Sequence, residues 1–158
     1  MDSIFDLLEY NGYLSPSAVG LLRGYCERWQ VTGYQAIVES HLLSEDALAD
    51  ALSESLKIDR LFHVCFNAAL IRPEESISYA LACRWCCIET DAIRQFEGRE
   101  FALADPTERS TIVELRRMFG RRVRVAVAPA SEIKRAIWAH YPLWEQIHTH
   151  AAQVASSS

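Results

Sequence analysis

The segment Leu8–Ser15, LEYNGYLS, recurs 29 residues later as IVESHLLS at Ile37–Ser44. Both copies carry apolar residues near their two ends and finish on a serine that can cap a following helix. In the first copy Asn11-Gly12 ends a helix, because glycine tolerates the left-handed conformation found there. The repeat therefore predicts two copies of a helix, a tight turn and a capped helix. Two units are fewer than a free-standing solenoid needs, so we expect them to pack on each other or on the rest of the chain.

Apolar residues at helical spacing extend this repeat into four predicted helices. The second helix begins at Pro16, where a missing N–H costs nothing, and should end near Trp29. Thr32-Gly33 precedes a short third helix, and Ser44 caps the fourth, which runs to Leu56. We assign residues 1–58 to a helical repeat subdomain.

The second half of the chain changes character, because short apolar runs rich in aromatic and β-branched residues alternate with turn signals. Strands are predicted over 61–66, 85–89, 100–104 and 122–128, and helices over 73–81, after Asp105 and after Ser131. Asp105 is interpreted as a helix cap, with Pro106 at the first helical position and Glu108 in the capping-box position. Ser131 is interpreted as the cap of the next helix.

This order of elements predicts an α+β fold, in which the helical repeat is followed by a small mixed β-sheet covered by helices. The sheet subdomain is expected over residues 59–141. Residues 142–158 are predicted to form a carboxyl-terminal helix, opened by Pro142, and a flexible tail.

The composition restricts the classes of function. The chain has 158 residues, half of them apolar, and a formal net charge of -5, which argues against a general nucleic-acid binder because backbone binding needs clustered cations. No run of 18 apolar residues and no amino-terminal signal pattern occurs, so we expect a cytoplasmic protein without membrane insertion. Five cysteines, three of them crowded at Cys83, Cys86 and Cys87, are typical of reduced thiols rather than a disulfide framework.

Metal and redox sites find little support. Cys83 and Cys86 have the C-x-x-C spacing of half a zinc site or of a redox pair, but no second pair follows, and buried thiols are the favoured interpretation. His148 and His150 fall on different faces of a helix. We predict no metal and no cofactor.

The signatures of common catalytic sites are also missing from the sequence. Neither Lys57 nor Lys134 follows a glycine, as the lysine of a phosphate-binding loop does, and there is no nucleophile-elbow string. A Ser-His-Asp triad remains open, since such groups meet only in the fold. We predict that the chain is not an enzyme.

Several local strings resemble the amino-terminal domain of the type II secretion and type IV pilus assembly ATPases. They are Leu43–Leu48, Phe101–Pro106, Glu114–Arg116 with Gly120, Val123–Ala128 and Ser131–Ile133 with Tyr141. The resemblance covers roughly residues 3 to 141, and the Ala-Asp-Pro turn at 104–106 is its best single marker.

This resemblance implies a non-catalytic adaptor or regulatory domain of a bacterial secretion or pilus-type system. Its partner would be the cytoplasmic part of an inner-membrane assembly protein, or an associated ATPase, which would place the domain in the cytoplasm and peripherally at the membrane. The same resemblance implies an alternative function, because related domains are receptors for cyclic di-GMP.

The receptors bind that nucleotide through two tandem motifs that each open with Arg-Leu-Gly. Here the corresponding positions hold Ser3-Ile4-Phe5 and Thr32-Gly33-Tyr34, so both motif arginines are replaced. An arginine can stack on a base and form paired bonds to a phosphate, and neither copy retains one. The sequence therefore favours protein binding over cyclic di-GMP sensing.

Two groups of residues are candidates for the partner-binding surface. The first is a set of aromatic residues near turns and helix ends, since rigid aromatics often anchor interfaces. The second belongs to the run Arg116, Arg117, Arg121, Arg122 and Arg124. A solvated face beside a helix carboxyl end is the favoured interpretation of this run, and a dock for an acidic partner surface or a phosphate ligand is the alternative. The candidate residues are Tyr10, Tyr13, Trp29, Tyr34, Arg116, Arg117 and Arg121.

Overall fold

The computed structural model describes residues 3–64, 75–91 and 98–157 of the chain. The helices within these ranges are α1 (Ile4–Tyr10), α2 (Pro16–Trp29), α3 (Gly33–Glu39), α4 (Glu45–Leu56), α5 (Tyr79–Trp85), α6 (Arg109–Phe119), α7 (Ala130–His140) and α8 (Leu143–Ser156). The strands are β1 (Cys87–Glu89), β2 (Arg99–Leu103) and β3 (Val123–Val127). The predicted α+β class is confirmed.

The four amino-terminal helices form the predicted repeat, and the two copies match in their backbone. The side chains of Ser15 and Ser44 each accept a hydrogen bond from the backbone N–H three residues on, and so cap α2 and α4. Between the helices of each copy, Gly12 and His41 occupy equivalent positions and have φ angles of 79° and 58°. Glycine adopts this left-handed conformation freely, whereas histidine adopts it at some cost, so the fold imposes the turn on the second copy.

The four helices bury one hydrophobic cluster, which we call the helical lobe. Its interior includes Leu8, Ile37, Leu48 and Leu52, all fully buried. Gly33 is the first residue of α3 and lies against α1. A Cβ atom on it would lie 2.7 Å from Cγ2 of Ile4. A side chain at this position would push the two helices apart, so Gly33 sets how closely they pack.

The sheet is mixed, as predicted, and within the described residues its three strands lie in the order β1-β2-β3. β1 and β2 are antiparallel, and β2 and β3 are parallel with α6 as the crossover between them. α5, α6 and α7 pack on this sheet around Phe101, Leu115 and Ile133, and together they form the sheet lobe.

A short clasp joins the two lobes where β3 ends. The N–H of Val127 donates to the carbonyl of Asp59, and the carbonyl of Val127 accepts from the N–H of Leu61, both at 2.9 Å. The side chain of Val127 is buried in the cluster of the helical lobe. Arg60, between the two bonded residues, forms ion pairs of 2.9 Å with Asp46 and with Asp50 of α4. The domain boundaries predicted from the sequence are not tested by these contacts and stay predictions.

Two predicted elements of the sheet half differ from the structure. The strand predicted over 61–66 is wrong for 61–64, because pairing there is limited to a single parallel bridge between Arg60 and Val127; residues 65 and 66 lie outside the described ranges. The helix predicted over 73–81 begins only at Tyr79, capped by Ser78, and Pro73 is also outside those ranges. Its last residue is Trp85, which had been predicted to begin a strand.

Two predicted helix caps are wrong. The carboxylate of Asp105 accepts from the N–H and hydroxyl of Thr107, so it closes a local turn, and α6 begins four residues later with no side-chain cap. Ser131 lies inside α7, which begins at Ala130 after Pro129. Pro129 directly precedes the first residue of α7, a position that proline suits because it needs no N–H there.

The carboxyl-terminal helix α8 is present and starts directly after Pro142, as predicted. It packs on α5 through Glu145, whose carboxylate accepts the N–H of Tyr79, and through His150, which lies 3.2 Å from the hydroxyl of Tyr79. None of the helices in the described part of the chain is both long and apolar enough to span a bilayer.

Replacing Gly33 with alanine should destabilise the helical lobe. The new Cβ would lie 2.7 Å from Cγ2 of Ile4, an atom held close to the backbone of α1, and 3.2 Å from the ring of Phe5, so α1 or these buried side chains would have to shift. We expect the free energy of unfolding, measured by urea denaturation, to fall by about 1–3 kcal/mol.

Gly20→Ala is the matched control, because Gly20 lies within α2 and a Cβ added there would meet no atom within 4 Å. That substitution should raise the free energy of unfolding by about 0.4–1 kcal/mol through the lower entropy of the unfolded chain. Equal effects of the two substitutions would contradict the close approach of α1 to α3.

Candidate functional site

A cleft of about 700 Å³ lies between the two lobes, and we call it the interlobe cleft. The helical lobe contributes α3 and the first residue of α4, while the sheet lobe contributes the end of α5, the connection between β2 and α6, and the start of α7. Its walls include the apolar surfaces of Val38 and Trp85. A concave site of this size and position, at a junction of two lobes, is typical of binding sites.

Acidic side chains outnumber basic ones along the interlobe cleft. The charged residues that line it are Glu39, Glu45, Asp105, Glu108, Arg84 and Lys134. Four carboxylates face two cations, so the lining as a whole repels anions and favours cations.

Asp105 is one of the two half-buried carboxylates of this lining. Burial raises its pKa above the usual range of an aspartate, although the two hydrogen bonds from Thr107 act in the opposite direction. The Ala-Asp-Pro turn that marks the family resemblance thus places a carboxylate in the lining of the cleft.

Tyr34 connects the two walls of the cleft. Its ring packs against both hydrophobic clusters, and its hydroxyl accepts the N–H of Ala130, at the start of α7, at 3.3 Å. Glu45 makes a second link, accepting the N–H of Ser131 at 3.4 Å. Burial raises the pKa of Tyr34 above its usual range, so the phenol stays protonated at neutral pH. Tyr34 therefore holds the lobes together.

A second cavity, of about 590 Å³, adjoins the first on the other side of Asp105 and Glu108. It is lined by Ser3, Ile4 and Phe5, and Gly33 borders it as well. The residues at the two Arg-Leu-Gly positions therefore lie along this pair of cavities, with Thr32 and Tyr34 in the first. The cation nearest Ser3 in sequence, Arg23, is paired with Asp6 at 2.7 Å.

The predicted aromatic anchors are placed differently from one another. Tyr10 and Trp29 are 79% and 58% exposed at the ends of α1 and α2, so they are available to a partner. Tyr13 is half-buried and donates its hydroxyl to Glu54 of α4, while Tyr34 is engaged between the lobes. Among the described residues no ring contact joins any two of these four side chains. Their role in partner binding stays a prediction.

The predicted arginines lie around the end of α6 and the start of β3. Arg117 pairs with Glu114 on its own helix at 2.8 Å, as expected of a solvated face. Arg116 and Arg121 are exposed, and neither forms an ion pair within the described ranges. Arg116 lines a third cavity, of about 490 Å³, beside β3. Partner binding by these three arginines also stays a prediction.

The cysteine-rich segment is only partly buried, which corrects the prediction of buried thiols. Cys83 is exposed on α5, whereas Cys86 is half-buried at the helix end and Cys87 is fully buried in β1. In the part of the chain that is described, no group of three or more His, Cys, Asp or Glu side chains is placed to hold a metal ion.

The fold and this geometry can be compared with known proteins. Residues 75–146 match the family model of the MshEN domain. The predicted resemblance to the secretion-ATPase amino-terminal domain is confirmed. The MshEN match covers most of the sheet lobe and the start of α8, and it leaves out the helical repeat.

Two solved structures resemble most of the chain in fold. The structure of MshE with cyclic di-GMP has a TM-score of 0.66 and 16% sequence identity, and the alignment covers 89% of this chain and 100% of that one. The amino-terminal domain of XpsE has a TM-score of 0.55 and 19% identity, over 87% of this chain and 94% of that one. No curated protein matches the sequence.

Sequence reasoning did not identify the interlobe cleft. Its acidic residues come from α3, α4 and the β2–α6 connection, segments far apart in the chain, so no local motif contains them. Of its acidic residues, Asp105 had been interpreted as a helix cap and Glu108 as the residue in the capping-box position. The pairing of β3 with residues 59–61, which forms the cleft by joining the lobes, has no signal in the sequence either.

The thiols of the C-x-x-C segment should differ in reactivity. Burial raises the pKa of Cys86 to about 11 and that of Cys87 also rises well above its usual range, so at pH 8 both remain largely protonated. Because thiolates react with iodoacetamide and thiols do not, we expect the native protein to be alkylated at Cys83 well before the other two.

Trypsin cleavage after Arg84 separates Cys83, in the peptide 61–84, from the peptide 85–94, which carries the other two thiols. The peptide 61–84 also contains Cys65, because trypsin does not cleave the bond between Arg72 and Pro73. Tandem mass spectrometry assigns the label to each cysteine by fragment ions and follows it over time. The same time course in 8 M urea is the control, in which all three should react alike. Equal native rates for Cys83 and Cys86 would contradict the burial of Cys86.

Proposed function

We propose that this chain is a docking and regulatory domain of a bacterial secretion or pilus-type assembly system, and that its ligand is a protein rather than a nucleotide. It would act without catalysis, in the cytoplasm, and reach the membrane only through its partner. The partner would be the cytoplasmic part of an inner-membrane assembly protein or an associated ATPase.

The observation that carries this proposal is the chemistry at the two motif positions. Serine and threonine stand where the related receptors have arginines, and the adjoining interlobe cleft is lined by four carboxylates. Cyclic di-GMP carries two phosphate charges, so it would lose its paired bonds to arginine and would meet like charges in the cleft. Both effects disfavour the nucleotide.

The exposed aromatic residues support a protein ligand. Tyr10 and Trp29 end successive helices of the repeat with most of their ring surface in solvent, and Leu21 on α2 is 79% exposed as well. Large side chains of this kind bury apolar area at low entropic cost when a partner covers them.

Cyclic di-GMP binding is the second candidate, favoured by the fold shared with the MshE structure that contains this ligand. Isothermal titration calorimetry separates the candidates. We expect no binding heat at 100 μM cyclic di-GMP, because the contacts normally made by two arginines are missing.

The double variant Ser3→Arg/Thr32→Arg is the informative control for that titration, since it returns an arginine to each motif. A gain of binding in this variant alone would show that the cavities have room for the nucleotide and that the two arginines determine whether it binds. Micromolar binding by the unaltered chain would overturn the proposal in favour of the sensor.

Protein docking can be tested through Trp29. The chain, with a photo-crosslinking amino acid in place of Arg28, is incubated with detergent-solubilised bacterial inner membranes and irradiated. The crosslinked membrane protein is identified by mass spectrometry, and its cytoplasmic domain is then produced and purified separately. We expect Trp29→Ala to weaken binding of that domain about tenfold or more, in line with an interface anchor.

Val113→Ala is a control of similar exposure on α6, far from the helical repeat in sequence, and should leave that binding unchanged. Both substitutions are at exposed positions, so neither should change the free energy of unfolding by more than about 0.5 kcal/mol. Unchanged affinity in the Trp29 variant would remove the helical repeat from the interface.

A further inference from the structure

We propose that the outer edge of β3 is a docking site for an extended, acidic segment of a partner protein, which would add to the sheet as a further strand. The inference rests on the proposed docking function and names a surface and a binding mode for it.

The backbone of β3 shows which of its polar groups are available. The backbone N–H and carbonyl groups of the even-numbered residues face β2. The carbonyl of Arg122 accepts the N–H of Arg99, and the N–H of Ala128 donates to the carbonyl of Leu103. Val127 faces the opposite way and bonds to residues 59–61. Because successive residues of a strand point their backbone groups to alternate sides, those of Val123 and Val125 also face the outer edge.

These outward groups lack partners among the described residues. No backbone or side-chain group within those ranges bonds the N–H or the carbonyl of Val123 or Val125 on that side. The clasp covers only the carboxyl-terminal end of the strand. Followed backwards from Asp59, the chain turns away from β3 at Lys57, whose φ is 57°, and this residue ends α4. About 6.8 Å of strand edge, from Val123 to Val125, is left open.

An apolar groove runs along this open edge. The cavity of about 490 Å³ beside β3 is lined by Leu56 and Ile58 on one side and by Pro106 and Ile112 on the other. The groove and the edge have the two elements of strand addition: backbone groups that give affinity, and pockets for alternate side chains that give specificity. An unprotected edge beside apolar side chains is otherwise a feature that proteins avoid.

The charge around the groove indicates which kind of partner segment would bind there. Arg116 lies in its wall, and Arg121 stands at the start of β3, both exposed and without an ion-pair partner in the described part of the chain. Arg124 also borders the groove, and its guanidinium pairs with Glu100 at 2.7 Å. In the described lining there is no carboxylate. A strand carrying aspartate or glutamate beside alternating apolar residues is therefore complementary to the groove.

The free protein provides the first test. In amide hydrogen exchange followed by NMR, the N–H of Val125 should exchange far faster than that of Ala126, which faces β2. Equal protection of the two amides would show that the edge is already covered and would overturn the proposal.

The second test uses a phage-displayed library of random eight-residue linear peptides, selected on the immobilised chain. We expect enriched peptides to alternate apolar residues and to contain aspartate or glutamate. One enriched peptide, synthesised with a fluorescent label, is then used to measure affinity by polarisation. A failure to enrich any peptide over an unrelated immobilised protein would contradict the proposal.

Two substitutions at one position separate backbone pairing from side-chain contact. Val125→Pro removes the outward N–H without removing a bond to β2, and proline is tolerated at strand edges for this reason. We expect it to weaken peptide binding about tenfold or more, whereas Val125→Ala, which keeps the N–H, should stay within about threefold. Arg116→Glu should also weaken binding, and more so at low salt.

Equal affinity of the peptide for Val125→Pro and for the unaltered chain, with both folded by circular dichroism, would rule out strand addition. The same variant distinguishes this inference from the proposed function. A crosslinked partner domain that binds Val125→Pro normally would leave docking intact and remove only the strand edge.

Discussion

The two hydrogen bonds of Val127 to the segment at 59–61 are the constraint on which the rest of this structure depends. They join a helical lobe and a sheet lobe that have separate hydrophobic clusters, and Arg60 reinforces them by pairing with two carboxylates of α4. The side chain of Arg60 is only 9% exposed, whereas those of Asp46 and Asp50 are 76% and 62% exposed, so the two pairs anchor the buried arginine to α4 while their carboxylates stay in contact with water. With this clasp in place, α3 and α4 face α5 and α7 across the interlobe cleft.

The same clasp limits what the sheet can do at its edge. It pairs with the last residue of β3 and then turns away, so one strand end is closed and the other open. The acidic cleft and the open edge flanked by arginines lie on different sides of the β2–α6 connection, with Asp105 bordering the cleft and Pro106 bordering the groove. A single short turn therefore separates a surface suited to cations from one suited to an acidic strand.

Local patterns in the sequence were enough to predict most elements, and they failed where distant segments meet. The repeat was predictable because its signals are local. Each capping serine bonds a backbone N–H three residues on, and the turn glycine bends the backbone at its own position. Asp105 was misassigned because a carboxylate before a helix can cap it or close a turn, and the choice depends on Thr107 and on burial between the lobes. The cleft and the clasp join residues from both halves, so neither has a local signature. Tyr34 was selected for its ring, yet its hydroxyl serves the contact between the lobes.

The separation of the clasp residues along the chain also orders the folding of the molecule. All contacts within the helical lobe, apart from those of Val127, join residues that precede Ile58 or include it, whereas the clasp must wait for β3, which follows every other strand of the described sheet in the chain. Local contacts form faster than distant ones, because less chain entropy is lost in closing them. During synthesis the four helices can therefore assemble while the apolar surface that will receive Val127 is still open to water, and that surface can close only after β3 has been made.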